Sequence, residues 1–161
     1  MLETEQQTLQ LTGKPPSLIV TPVGVGSLAQ AVVSYYKSRK TTSSIVTVEP
    51  ETAACLKTSL EKGQRTTLST GDTSMCGMNC GTVSSIAWPL LKHGVDASIT
   101  VSDKDAESSR CKLSDNGFQV GPCSAATLAA ISKICKSPVA KDALDLNGES
   151  TIVLLATEGP R

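Results

Sequence analysis

Aromatic side chains are almost missing from this chain: one Trp, two Tyr and one Phe among 161 residues. A stacking platform for nucleic-acid bases needs more rings than that. An excess of charge is missing too, since fifteen Lys and Arg offset fifteen Asp and Glu. Neutrality removes the basic face that nucleic acid or an acidic membrane would require. No apolar run approaches the roughly 18 residues of a membrane span. The start, Met1-Leu2-Glu3-Thr4-Glu5, is acidic and polar where a signal peptide would be basic and then apolar. These absences point to a cytoplasmic protein with neither nucleic acid nor membrane as partner. Histidine is scarce as well. Cys76 and Cys80 stand at C-x₃-C spacing and His93 is the sole histidine, so no zinc or other metal site is expected.

Six cysteines are present. With no export signal, and with several of them inside apolar helical patterns, mostly free thiols are expected. A chain of this length holds one domain with a real core. That core must be built from Val, Ile, Leu and Ala.

Short apolar runs alternate with helical stretches. Leu18 to Thr21 and Ser44 to Val48 read as buried strands, Ala97 to Val101 as a third and Thr151 to Ala156 as a fourth. Leu28 to Lys37 reads as a helix with Leu28, Ala31, Val32 and Tyr35 on its core face. Pro50 is read as opening a second helix, closed by Gly63. Ser84 to His93 reads as a helix in which Pro89 signals a kink or a later start. Ser102 is an N-cap candidate, with Asp103 and Asp105 in the first turn of the helix that follows. Ser124 to Lys136 is a small-residue helix for which Ser124 is the candidate cap. The first dozen residues read as an amphipathic helix showing Leu2, Leu9 and Leu11. Between Thr66 and Thr82, Gly71, Gly77 and Gly81 lie among Ser, Thr, Asp and Asn, a composition for a packed functional loop. Fully apolar strands separated by helices imply an α/β fold: an open, mostly parallel sheet with helices on both faces. Residues 1–15 are assigned to an N-terminal helix and linker, and residues 16–161 to the α/β domain.

The strongest local signal is Pro22-Val23-Gly24-Val25-Gly26-Ser27-Leu28-Ala29, set between a strand and a helix. Glycine lets backbone approach an anion closely and adopt positive φ. The free amides and dipole of the helix start then favour a phosphate. A plain strand-to-helix turn that binds nothing has the same outline. Two ligands compete for the loop. Gly24-x-Gly26-x-x-Ala29 fits the dinucleotide pattern, and Glu49 ends the second strand where a ribose-binding acid would sit. Against it, Pro22 restricts the chain just before the turn, and the glycine-cysteine loop is left without a role.

The other reading rests on a resemblance. Pro22 to Leu28 resembles the phosphate-binding tetraglycine loop of the fold-type II pyridoxal-phosphate enzymes, the group of tryptophan synthase β, serine racemase and threonine deaminase, with Val25 and Ser27 replacing two glycines. Gly24-Val25-Gly26-Ser27-Leu28-Ala29 is most similar to the variant in the diaminopropionate ammonia-lyases. Val48-Glu49-Pro50, Thr73 to Gly81, Ala87 to Leu91 and Thr157-Glu158-Gly159 resemble further segments of that group, in the same order.

The resemblance implies the large-domain part of the tryptophan synthase β-like fold and pyridoxal 5'-phosphate as cofactor. It implies that the amides of Gly24, Val25, Gly26, Ser27 and Leu28 bind the phosphate, and that the backbone of Gly77 lies near the ring hydroxyl. In Gly121-Pro122-Cys123-Ser124-Ala125 it places Cys123 against the pyridine nitrogen, though Pro122 stands for the lyases' acid and Ser124 for their glycine. Glu49 matches a metal-ligand position of the serine racemase branch, but Cys55 replaces the acid that site needs, so no metal is implied. The activity implied is α,β-elimination on an amino acid such as diaminopropionate, giving ammonia and a 2-oxo acid. That chemistry needs a lysine upstream of the loop. Only Lys14 precedes it, in a linker-like setting, and no catalytic residue is assigned. The chain is therefore expected to be the C-terminal half of such an enzyme, inactive alone. It is expected to pair with a second copy or with a complementing N-terminal half. A non-catalytic binding homologue and a dinucleotide-binding domain are the alternatives.

Overall fold

A computed structural model describes residues 1–39 and 42–160. Four strands form one sheet in the order β3-β2-β1-β4: β1 (Leu18–Pro22), β2 (Ser44–Pro50), β3 (Ala97–Val101) and β4 (Ile152–Leu154). Every pairing is parallel, with Val20 opposite both Val46 and Leu154, and Val48 opposite Ile99. The helices are α1 (Leu2–Thr12), α2 (Ser27–Ser38), α3 (Cys55–Lys62), α4 (Trp88–Gly94), α5 (Asp103–Asp115), α6 (Pro122–Lys136) and α7 (Pro138–Ala143).

Alternation along the strands divides the core in two. Leu18, Val20, Val46 and Val48 pack with Ala126, Ala130 and Ile134 of α6 on one face. Ile19 and Ile45 pack with α2, α3 and α4 on the other, through Val32, Tyr36, Leu56 and Leu91. Both faces are covered, which is why the central strands read as continuous apolar runs. The expected α/β sheet is the fold observed.

Several local expectations are corrected. The buried face of α2 is Ala29, Val32, Val33 and Tyr36, rotated from the expected set. Pro50 does not open a helix. It completes β2 opposite Val101, and a short 3₁₀ turn at Glu51–Ala53 precedes α3. Of the two alternatives that Pro89 signalled, the later start is observed: α4 begins at Trp88, with Pro89 in its first turn, where a missing N–H costs nothing. Gly121, not Ser124, is the N-cap of α6. Leu2, Leu9 and Leu11 of α1 are exposed, as are Val25, Ile86 and Leu90. No helix among the described residues is long and apolar enough to cross a membrane.

Ser102 caps α5 as expected, in a reciprocal pair with Asp105. The cap of α3 comes from further away. Glu49, on the sheet and fully buried, accepts hydrogen bonds from the amides of Leu56 (2.7 Å) and Lys57 (2.8 Å). Burial pushes the Glu49 carboxyl up to about 7, against those two amides and the Cys55 thiol, which favour its charged form. Folded chain thus keeps this proton to about pH 7, whereas unfolded chain loses it near 4.5. Stability should fall by about 3 kcal/mol as pH rises through that window. Urea denaturation across pH 4.5–7 should show this slope in wild type and a flatter one in Glu49→Gln.

Candidate functional site

In a parallel sheet all strands end at one edge, and ligands bind outside those ends. Here β1 ends at Pro22 and α2 begins at Ser27, leaving a turn of four residues. Gly26 takes φ 97°, a left-handed conformation that other residues seldom adopt. Gly24 is crowded by the glycine-cysteine loop. A Cβ on it would lie 2.7 Å from the Gly77 carbonyl oxygen and 3.2 Å from Cys80 Sγ. The turn is braced from behind, where Ser84 N–H donates to Val25 O at 2.8 Å and Cys55 Sγ to Gly24 O at 3.8 Å. Among the described residues, the amides of Gly24, Val25, Gly26, Ser27 and Leu28 find no acceptor. No acidic side chain lies in the first turn of α2, and Lys37 lies in its last, so the helix field favours an anion at this start.

Four helix starts gather at this edge, and the chain answers three of them. Glu49 caps α3, and Ser102 with Asp105 caps α5. At α6, Cys123 N–H donates to Glu158 Oε2 at 2.8 Å, while Gly121 N–H donates to the Glu158 carbonyl at 3.0 Å. Ser124 Oγ donates to that same carbonyl and accepts from Glu158 N–H. Only α2, of these four, has no side chain on its first amides.

A cavity of about 350 Å³ opens between the starts of α2 and α6, lined by Gly24, Leu28, Gly77, Cys123, Thr157 and Glu158 among others. The structure therefore brings Gly24, Leu28, Gly77 and Cys123 together, with Val25, Gly26 and Ser27 completing the turn. A larger cavity of about 440 Å³ lies at the opposite edge, where the strands begin. Lys14 belongs to it, with Nζ donating to the Glu149 carbonyl at 2.7 Å. That lysine sits far from the glycine turn. Burial, and then the hydrogen bond to Glu158, push the Cys123 thiol up to about 11, so it stays protonated at neutral pH. Cys55, under Gly24, is pushed up to about 12 by burial first and then by the Glu49 carboxylate.

Glu49 does not offer the carboxylate that a ribose or a metal would require, because both oxygens are spent on α3. The sequence reading also missed Met78, Thr157 and Glu158 as lining residues. Thr157-Glu158 carried a signal only as a short resemblance, since its contacts with residues 121–124 span more than thirty positions of chain.

The comparisons with known proteins agree on one group. A family described as "Pyridoxal-phosphate dependent enzyme" matches residues 2–158. The diaminopropionate ammonia-lyase of Salmonella typhimurium is 27% identical over 173 aligned positions, covering 98% of this chain but 43% of that relative's length. The threonine deaminase of T.th. superposes with a TM-score of 0.86 at 28% identity, covering 99% of this chain and 54% of that one. Diaminopropionate ammonia lyase of Escherichia coli gives 0.84 at 22% identity, over 98% and 43%, which speaks for the fold alone. The chain thus spans about half the length of the relatives it matches.

Two glycines carry the shape of the turn. Gly24→Ala must displace the Gly77 backbone and should cost about 1–3 kcal/mol. Gly26→Ala adds left-handed strain to a 2.8 Å approach to Leu91 Cδ1 and should cost about 1–2 kcal/mol. Chemical denaturation of both variants, with Gly148→Ala as a control whose Cβ meets nothing, checks this.

Proposed function

The chain belongs to the pyridoxal-phosphate dependent enzymes, and from that premise we propose that it is the part of an ammonia-lyase-type enzyme that holds the cofactor's phosphate and ring. One observation carries the reading. At an edge where the chain caps α3, α5 and α6 with its own oxygens, the five amides of Gly24 to Leu28 are left for an anion from outside. The residues fit the family's cofactor in layout. Gly24 and Leu28 of the turn line the cavity together with Cys123, and Gly77 comes close to both Gly24 and the Cys123 thiol.

In this reading the amides of Gly24, Val25, Gly26, Ser27 and Leu28 bind the phosphate, and the Ser27 hydroxyl adds a donor. Gly77 gives the ring close access, since a Cβ there would meet Cys123 Sγ at 3.3 Å. Cys123 faces the ring nitrogen as a neutral thiol, kept protonated by its burial and by the neighbouring Glu158. Bound here, pyridoxal phosphate supplies an electron sink for elimination from an amino acid. A neutral donor at the nitrogen leaves that sink tuned rather than maximal. Glu158 fixes the start of α6 and so the position of Cys123.

The proposed substrate is a small amino acid of the diaminopropionate type, with ammonia and a 2-oxo acid as products. No lysine among the described residues lines the cavity, so the isolated chain binds the cofactor without a covalent link and does not turn over. Catalysis then requires a lysine from another segment or chain, with the exposed Val25, Ile86 and Leu90 beside the turn available for that contact.

A thermal-shift titration with pyridoxal phosphate tests this directly. Wild type should be stabilised by the ligand, and inorganic phosphate should compete. Ser27→Asp places a negative charge inside the cradle. It should weaken the ligand by at least about tenfold while leaving the ligand-free melting temperature unchanged or higher, since an acid suits a helix start. Equal binding by wild type and Ser27→Asp would contradict the assignment.

A further inference from the structure

Residues 64–87 carry no helix or strand beyond a 3₁₀ turn at Cys76–Met78, yet they supply one wall of the cavity. A segment of this kind is held by isolated hydrogen bonds and by side chains rather than by a regular ladder. Its ends are tied by Leu68 N–H to Gly81 O at 2.8 Å and by Gly71 N–H to Thr52 O at 3.0 Å. In its middle, Thr52 Oγ1 donates to the Asp72 carbonyl at 3.5 Å, and most contacts converge on the carboxylate of Asp103, first residue of α5. Thr73 Oγ1 donates to Asp103 Oδ1 at 2.6 Å, Ser74 Oγ to the same oxygen at 3.1 Å, and Ser74 N–H to both oxygens at 3.2 Å. Thr73 Oγ1 in turn accepts from Met75 N–H at 3.1 Å. Met75 is fully buried in the cluster that contains Cys123, and two residues later Gly77 meets Gly24.

We propose that Asp103, which does not line the cavity, is a positioning residue for the cofactor site: through Thr73 and Ser74 it sets the height of Gly77 against Gly24 and Cys123. A carboxylate suits the task because three donors converge on it and it offers only acceptors. It is also held below the usual carboxylate range, first by the Thr73 hydroxyl and then by Ser74, against slight burial. Its removal need not melt α5, because Ser102 and Asp105 cap that helix independently. The inference rests on the cofactor reading above and goes beyond it, naming a residue outside the cavity that the comparisons do not point to.

The test uses the full chain with pyridoxal phosphate as probe, comparing wild type, Asp103→Asn, Thr73→Val and the double variant. Asn keeps one acceptor but turns two donors toward donors. Amide exchange over residues 73–80 should rise about tenfold in Asp103→Asn, with exchange in α6 unchanged. Pyridoxal phosphate should bind about five- to tenfold more weakly, while the ligand-free melting temperature moves by less than about 4 °C. The double variant should bind no worse than the weaker single one, because both act on the same contact. Should Asp103→Asn lose its cooperative melt, Thr73→Val removes two hydrogen bonds, one to Asp103 and one from Met75 N–H, and serves the same comparison. Unaltered exchange over 73–80, or faster exchange with undiminished affinity, overturns the positioning role. Wild type that binds no pyridoxal phosphate overturns the cofactor reading itself, and the role of Asp103 with it.

Discussion

All four strands run in one direction, so whatever follows a strand arrives at the same edge of the sheet. That constraint organises the rest of the molecule. The glycine turn follows β1, Glu49 lies near the end of β2, Asp103 follows β3 and Glu158 follows β4. Four helix starts meet there as well, and each brings amides without intrahelical partners. Concentrating so many donors in one place is unfavourable unless something accepts from them.

The chain meets that demand unevenly. Two glutamates cap α3 and α6, Glu49 from just upstream of its helix and Glu158 from more than thirty residues away, and a serine-aspartate pair caps α5. The Glu49 solution is costly, because a buried carboxyl resists ionisation even with two amides aimed at it. At α2 no such solution exists, and the backbone is instead pressed close to Gly77 by glycines that leave no room for side chains. In the proposed reading, the turn offers an anion donors that the chain leaves unsatisfied. It gains specificity from a fixed geometry rather than from charged side chains. The long segment between α3 and α4 is held by polar contacts and by the buried Met75, Met78, Val83 and Ala87 rather than by a ladder. Those contacts radiate from few points, with Asp103 the principal one.

Much of this was legible from short stretches. Gly24-x-Gly26 between a strand and a helix announced a turn with positive φ, which Gly26 takes, and the Ser102–Asp105 spacing announced a cap. Both signals are local, resting on φ restrictions and on hydrogen bonds three residues apart. The face of α2 was not legible. Leu28, Ala29, Ala31, Val32, Val33, Tyr35 and Tyr36 are all apolar or amphipathic, so periodicity permitted more than one face, and packing against α4 and the sheet selected Ala29, Val32, Val33 and Tyr36. Pro50 reads as a helix opener in isolation, yet pairing opposite Val101 keeps it in the strand. Ser124 has the chemistry of a cap, but the Glu158 backbone takes its hydroxyl.

Sequence alone determined the fold class, the alternation of strand and helix, and the presence of a glycine turn between strand and helix, because each depends on residues within a few positions of one another. Tertiary structure alone decided the surroundings of that turn. The approach of Gly77 to Gly24, the seating of Cys123 beside Gly77 and the Glu158 cap on α6 all join residues that lie apart in the chain. No local pattern encodes those distances. They follow from strand order and register, which fix what shares an edge only once the whole sheet has formed.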